Sequence, residues 1–184
     1  MTYPLGPSPA AGPPRPVISC CPAETEDPPR AAGSACQHTW EQLGTARPRW
    51  SQAAERLWFG GTQQARAAAG PDLAAFDLLV TLDAAVARTE PVAPGPGHWL
   101  RPFPDGVLPD GLATLADTIA ATIHDGALVL VRCSEGINRS ALLTGLVLQR
   151  HTTAPAVPVP DHLRQVRHPH VLARASYAAL LGGA

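Results

Sequence analysis

In the second half of the chain, a short continuous apolar run is followed by a longer, largely apolar stretch. Residues 127–131 are apolar throughout, which is typical of a strand buried on both faces. Residues 139–150 are too many for one strand and would be apolar on nearly every side of a helix, so they predict a buried helix. The chain must turn between the two segments. The pattern therefore predicts a strand, a tight loop and a buried helix in succession.

The remaining elements follow from the same reading of apolar spacing. Strands are expected at 57–59, 76–82 and 98–103. Helices are expected at 65–69, 110–126, 161–167 and 171–181. The segments 83–96 and 155–160 are expected to be irregular. Asp110 is expected to cap the start of the 110–126 helix, and Gly126 to end it in a left-handed conformation. Strands that alternate with helices predict an α/β fold, with a mainly parallel central sheet flanked by helices on both faces.

The first quarter of the chain has a different composition. Ten of the 21 prolines lie within the first 50 residues, and no apolar period accompanies them. Such a segment buries too little apolar surface to offset the entropy of ordering it. We therefore expect residues 1–49 to form a disordered leader and residues 50–184 to form a single domain.

Charge and cysteine usage exclude several classes of protein. All fourteen basic residues are arginine, and the formal net charge is −1, which argues against nucleic-acid or membrane binding by electrostatic attraction. No apolar run reaches eighteen residues and no secretory signal is evident, so a cytoplasmic location is expected. Cys20, Cys21 and Cys36 lie in the leader without paired C-x-x-C spacing, and we expect them to be free and reduced.

The loop between the predicted strand and buried helix carries reactive chemistry. Cys133 follows the strand, and Arg139 comes six positions later in the first helical turn. A loop of this length can direct several amides at one tetrahedral anion, while the planar guanidinium grips two of its oxygens. The amides, the helix dipole and the arginine all favour a thiolate at Cys133, and Ser140 can donate a hydrogen bond to it. The segment 133–139, called the anion loop below, thus predicts a nucleophile aimed at a bound phosphate.

The sequence of the anion loop resembles that of a known enzyme family. C-S-E-G-I-N-R-S at 133–140 is similar to the C-x5-R-[ST] pattern of cysteine-dependent protein tyrosine and dual-specificity phosphatases. L-W-F-G-G-T, F-D-L-L-V-T-L and F-P-D-G-V-L-P-D precede it in the family's order, so the resemblance covers residues 50 to about 181, and it points to small bacterial members. It implies a phosphomonoesterase that acts on phosphotyrosine or dual-specificity protein substrates through a cysteinyl-phosphate, with no metal or other cofactor.

The resemblance also implies a role for each residue of the site. Cys133 would be the nucleophile, Arg139 the anion clamp and Ser140 a donor to the sulfur. Asp105, within the F-P-D-G-V-L-P-D segment (103–110, the acid loop below), would protonate the leaving oxygen, with Asp110 as the fallback acid. The phosphate would be bound by the rest of the anion loop: Ser134, Glu135, Gly136, Ile137 and Asn138.

Two positions depart from the family pattern. Arg132 stands where the family usually has histidine, and its cation either lies close enough to favour the thiolate or points into a salt bridge on the far side. Glu135 places a carboxylate where phosphoinositide phosphatases of the family carry basic residues. An acidic side chain there argues against highly anionic substrates.

Three other functions were weighed against the phosphatase. Asn138-Arg139 also occurs in the family's RNA branch, so an RNA 5′-triphosphatase or polyphosphate phosphatase is an alternative, although no basic cluster supports an RNA groove. A non-catalytic pseudophosphatase that binds phosphorylated partners would not need the intact set of chemical residues. Sulfur or arsenate chemistry would not need the acid loop. The histidines at 162, 168 and 170 are interrupted by proline, so no metal site is expected.

Overall fold

The computed structural model describes residues 18–19, 37–38, 49–62, 71–89, 97–151 and 155–182. The chain divides into two compact units, Met1–Gly44 and Thr45–Ala184. In the first unit, β1 (Ile18–Ser19) pairs antiparallel with β2 (Gln37–His38). The predicted disorder of the leader, its three cysteines and the predicted helix at 65–69 lie outside the described residues.

The second unit is built on a five-stranded sheet with helices. Its strands are β3 (Trp50–Ala54), β4 (Leu57–Gly61), β5 (Leu78–Thr81), β6 (Gly97–Leu100) and β7 (Val129–Cys133). Its helices are α1 (Ala84–Thr89), α2 (Leu112–His124), α3 (Arg139–Leu148), α4 (Val159–Val166) and α5 (Ala175–Leu180). The strand order is β3-β4-β7-β5-β6, with only the β3–β4 pair antiparallel. The predicted α/β fold with a mainly parallel sheet is confirmed.

Side chains of the central strand alternate between two apolar clusters. Val129, Val131 and Cys133 belong to a large cluster that also contains buried residues of α2, α3, α4 and α5. Leu130 belongs to a smaller cluster with Trp50, Phe76 and Leu79. Because successive side chains of a strand point to opposite faces, Cys133 lies on the face covered by α3.

Two local predictions were wrong, and one strand was missed. Residues 83–96 were expected to be irregular, but α1 occupies Ala84–Thr89, and the Asp83 carboxylate accepts a hydrogen bond from the Ala85 amide (2.8 Å) at the helix start. Asp110 does not cap α2; the N-cap is Gly111 at φ 75°, without a side-chain cap. The strand Trp50–Ala54 was not predicted, since its apolar positions do not alternate regularly.

Candidate active site

The anion loop wraps around the sulfur of Cys133. The Gly136 amide donates a hydrogen bond to Cys133 Sγ (3.2 Å), and Ser140 Oγ lies 3.4 Å from the same atom. Only 2% of Cys133 is exposed, because β7 is central in the sheet and α3 begins directly above its carboxyl end. The sulfur is therefore buried at the carboxyl end of β7 with two polar groups within contact distance.

Close backbone packing explains the glycines at the contact between the anion loop and the end of β4. Gly136 has φ +70°, a left-handed conformation that favours glycine. A Cβ on Gly136 would overlap with the backbone of Gly60 and Gly61, and a Cβ on Gly61 would overlap with the backbone of Glu135. The double glycine at the end of β4 was predicted only as a strand end. It lets the neighbouring strand approach the anion loop.

Arg139 is held by a residue that the sequence reasoning missed. Its Nη2 donates to Asp83 Oδ2 at 2.7 Å and to Ser134 Oγ at 3.3 Å. Its Nη1 donates to the carbonyl oxygens of Leu82 (3.4 Å) and Phe103 (3.2 Å). Burial disfavours the charged guanidinium, but the negative charges of Cys133 and Asp83 outweigh it and raise the pKa of Arg139. Four protein groups therefore fix the position of the guanidinium.

Asp83 lies at the carboxyl end of β5, next to the carboxyl end of β7. It also accepts a hydrogen bond from Ser134 Oγ. Burial raises the pKa of the Asp83 carboxyl, but the Ser134 hydrogen bond and the Arg139 charge outweigh that effect and hold the pKa below its usual value. One signal in the sequence could have identified this residue: parallel strands end at the same edge, so an acid directly after β5 must lie near Cys133.

Asp105 lies over the anion loop through its contact with Asn138. Its Oδ2 accepts from Asn138 Nδ2 (3.0 Å) and from Arg174 Nε and Nη2 (3.4 Å each). Its Oδ1 is buried and makes no hydrogen bond within the described part of the chain. The structure thus brings together Asp105 and the anion loop, which are far apart in sequence.

Asp110, the fallback acid, lies elsewhere. It is exposed and lines a cavity of about 690 Å³ formed by the end of β6, the acid loop and α2. Cys133 and the rest of the anion loop do not line this cavity. The placement favours Asp105 over Asp110 as the group near the sulfur.

Glu135 and Ile137 complete the anion loop in different ways. Glu135 is partly buried, and this burial, followed by the negative charge of Asp105, raises the pKa of its carboxyl. Ile137 is buried, and its carbonyl accepts a hydrogen bond from the Leu172 amide at 3.0 Å. The loop therefore carries a carboxyl that retains its proton to a higher pH than an ordinary glutamate does.

No family model matches the sequence, and no curated protein does. Solved structures do match. A mouse putative dual specificity phosphatase, complexed with zinc tungstate, is 26% identical over 74% of this chain and 86% of that chain, with a TM-score of 0.55. Human DUSP28 is 21% identical, covering 73% and 91%, with a TM-score of 0.54. OH1 from the Orf virus, a tyrosine phosphatase, is 18% identical, covering 76% and 87%, with a TM-score of 0.52.

The chain has a phosphatase fold. These neighbours are tyrosine and dual-specificity phosphatases, and they support the resemblance seen in the sequence. The five-stranded sheet with its helices matches theirs.

Arg132, which directly precedes Cys133, points away from the sulfur. It is fully buried, and its Nε donates to Thr81 Oγ1 at 2.9 Å. Thr81 Oγ1 lies 2.8 Å from His98 Nε2, and burial, followed by the charge of Arg132, lowers the pKa of His98. Alternation along β7 places Arg132 on the face opposite Cys133. The structure supports the far-side placement of Arg132, where the identified partner of its Nε is the Thr81 hydroxyl.

Arg167, which the sequence reasoning did not single out, supports the anion loop from behind. Its Nε donates to the Gly136 carbonyl at 2.7 Å, and its Nη1 donates to Ser51 Oγ at 3.3 Å. Its guanidinium carbon lies 5.5 Å from the centre of the Phe59 ring. These contacts tie the loop to β3 and β4.

The described residues contain no group of three or more histidine, cysteine or acidic side chains suited to a metal ion. His162 Nε2 lies 2.7 Å from the Ala53 carbonyl oxygen, and the rings of His168 and His170 stand 5.1 Å apart. A search of the described residues for a membrane-spanning helix found none of sufficient length and apolar character.

Proposed function

We propose that this chain is a cysteine-dependent phosphomonoesterase that hydrolyses phosphoproteins of the phosphotyrosine or dual-specificity type. The observation that carries the proposal is the sulfur of Cys133, buried and held by the Gly136 amide and Ser140 at the start of α3. The acid loop meets the anion loop through two hydrogen bonds, from Asn138 to Asp105 and from Arg139 to the Phe103 carbonyl. The tungstate complex of the mouse neighbour supports an oxyanion as the ligand of such a site.

The reaction follows from the atoms gathered around the sulfur. Cys133 Sγ attacks phosphorus, and the bond between phosphorus and the ester oxygen breaks. Asp105 gives its proton to that leaving oxygen, and a cysteinyl-phosphate remains. A water molecule then attacks the same phosphorus and gives a proton to Asp105. The sulfur–phosphorus bond breaks, phosphate leaves and the thiolate is regenerated.

The phosphoryl oxygens would be bound by the anion loop and Arg139. The Gly136 amide faces the sulfur, and the dipole of α3 adds partial positive charge at its start. Within the described residues, the Nε–H of Arg139 makes no hydrogen bond, so it is the guanidinium group left for a phosphoryl oxygen. No metal or organic cofactor is needed for these steps.

The test of this proposal is loss of hydrolysis in two variants. Cys133→Ser should abolish hydrolysis of p-nitrophenyl phosphate but still bind vanadate, because the loop amides remain. Arg139→Lys should be severely impaired, since an ammonium cannot keep the contacts to Asp83 and Phe103 and also offer a further N–H to the anion. Cys36→Ser and Arg150→Lys serve as matched controls and should keep wild-type turnover.

The substrate class is tested separately. Phosphotyrosine peptide, phosphoserine peptide and 5′-triphosphate RNA should be offered side by side at equal concentration. Preferential hydrolysis of the phosphotyrosine peptide supports the proposal. Faster release of phosphate from the RNA would favour the RNA 5′-triphosphatase over the phosphoprotein phosphatase. Substantial turnover in Cys133→Ser would rule out the cysteine mechanism.

A further inference from the structure

The acid loop is tied to helix α5 by one buried hydroxyl. Tyr177 is 0% exposed, and its Oη accepts a hydrogen bond from the Gly106 amide (2.8 Å) and donates one to the Val107 carbonyl (3.0 Å). Gly106 and Val107 are the two residues that follow Asp105 in the chain. A single side chain therefore fixes the backbone next to Asp105.

The hydrogen bond from Tyr177 to the Val107 carbonyl requires the proton of the tyrosine hydroxyl, since a carbonyl oxygen can only accept. Burial, followed by the negative charge of Asp105, raises the pKa of Tyr177 to about 12. The hydroxyl consequently keeps its proton across the neutral range. The groups that face it are Asp105, Arg139 and Arg174.

The start of α5 also holds the Asp105 side chain. Arg174, the N-cap of α5, donates from Nε and Nη2 to Asp105 Oδ2, and its main-chain amide donates to Asn138 Oδ1 at 3.4 Å. Asn138 Nδ2 donates to the same Oδ2. Because Oδ2 accepts from both residues, Oδ1 is the oxygen left to carry the transferable proton. It is buried and unpartnered within the described residues.

We propose that Tyr177 is a positioning residue which, together with Arg174, holds the acid loop and Asp105 against the anion loop. The inference rests on the proposed phosphatase function, since it assigns Tyr177 a role through Asp105. The acid is placed by contacts from α5 to its own loop and from Asn138 to its carboxylate.

The kinetic test uses Tyr177→Phe, which keeps the ring and removes only the hydroxyl. General acid catalysis typically contributes about 10²–10⁴-fold, so a loosened loop should cost roughly tenfold in kcat on phenyl phosphate, a poor leaving group. With p-nitrophenyl phosphate the loss should be about threefold or less, since nitrophenolate needs little protonation. KM should change little on either substrate. A defect of folding would instead lower both rates equally.

A double variant shows whether the effect passes through Asp105. In an Asp105→Asn background, adding Tyr177→Phe should cause no further loss, because the group that it positions is already gone. Ser176→Ala, an exposed neighbour on α5, is the matched control and should match wild type on both substrates. Equal losses on the two phenyl esters, or losses that multiply in the double variant, would overturn the proposal. Arg174→Gln should show the same leaving-group signature, and an absence of that signature would also overturn it.

Amide hydrogen exchange tests the hydrogen bonds of Tyr177 to the acid loop independently of catalysis. The Gly106 amide donates to a buried hydroxyl, so its hydrogen exchange by NMR should be at least about tenfold faster in Tyr177→Phe. The Val129 amide, which donates to the Arg56 carbonyl at 2.9 Å, should exchange at the wild-type rate. Unchanged exchange at Gly106 overturns the tie even in an active phosphatase. Faster exchange in a chain without phosphatase activity would instead refute the proposed function and keep the tie.

Discussion

Asp83→Asn tests the residue that holds the arginine of the site. The Asp83 carboxylate accepts hydrogen bonds from Arg139 Nη2 and Ser134 Oγ, and only 12% of its side chain is exposed. Asparagine has nearly the same shape but removes the charge and one of the two acceptors. The variant should therefore leave Arg139 free to turn away from the anion loop.

The magnitude follows from the hydrogen bonds that are lost. A hydrogen bond to a charged group contributes about 1.5–3 kcal/mol, and the low exposure of this pair limits screening by solvent. A tenfold change in rate corresponds to about 1.36 kcal/mol. If the whole of the lost hydrogen-bond energy acts on the transition state, kcat/KM should fall roughly 10- to 150-fold. The loss should appear on p-nitrophenyl phosphate and on phosphopeptide alike, since in the proposed mechanism the arginine binds the phosphoryl group of both.

The assay is steady-state kinetics together with vanadate inhibition. Both kcat/KM and vanadate affinity should fall in Asp83→Asn. Asp117→Asn, which removes a surface ion pair with Arg150, is the control and should change neither value. A variant with a lower KM and tighter vanadate binding would refute the reasoning, because Asp83 would then compete with the anion for Arg139.

The same variant has a pH signature in stability. The folded-state pKa of Asp83 lies below its unfolded value, so its contribution to stability is present above about pH 4 and is lost as the pH falls through the folded-state pKa. Asp83→Asn should accordingly be less stable than wild type at neutral pH, and the gap should close in acid. Urea unfolding at several pH values measures this, and a gap that does not depend on pH would contradict the assignment.

Four further outcomes are expected. Asp105→Asn should slow hydrolysis of a phosphopeptide far more than that of p-nitrophenyl phosphate, whereas Asp110→Asn should alter neither rate, and an exchange of these behaviours would show that the acid is misassigned. Because the pKa of Glu135 is raised in the folded state, its ionised form costs stability at neutral pH, so Glu135→Gln should raise the melting temperature there and lose that advantage below about pH 4. Gly61→Ala should cost about 1–3 kcal/mol of unfolding free energy and most of the activity through overlap with the anion loop, and a stable, active variant would contradict the close packing. Deletion of residues 1–44 should leave turnover largely unchanged, and a marked loss would show that the leader serves the domain.

The sequence by itself determined the element that carries the proposed nucleophile. A continuous apolar run, a short loop with glycine and a long apolar stretch are local signals, and β7 and α3 lie where they predict. Cys133, Gly136 and Ser140 fall within eight consecutive positions. Since one strand, one turn and the first helical turn fix their relative placement, their contacts need little from the rest of the fold.

Local signals were weaker at the ends of other elements. The Ala84–Thr89 helix was read as irregular, although Asp83 stands at its start as a capping residue would. Asp110 was read as a cap because of its residue type, but the chain passes into α2 through the left-handed Gly111. Helix ends depend on the direction from which the chain enters, and the packing of neighbouring elements sets that direction.

Only the tertiary structure decided which residues surround the anion loop. Asp83 is 56 positions from Arg139, and Tyr177 is 71 positions from Gly106. Neither belongs to a motif, and a single aspartate or tyrosine has many possible roles in a sequence. The parallel sheet brings the ends of β5 and β7 together, and the packing of α5 in the main core places its first turn beside the acid loop. Such contacts depend on which elements are neighbours in space, which apolar spacing along the chain does not encode.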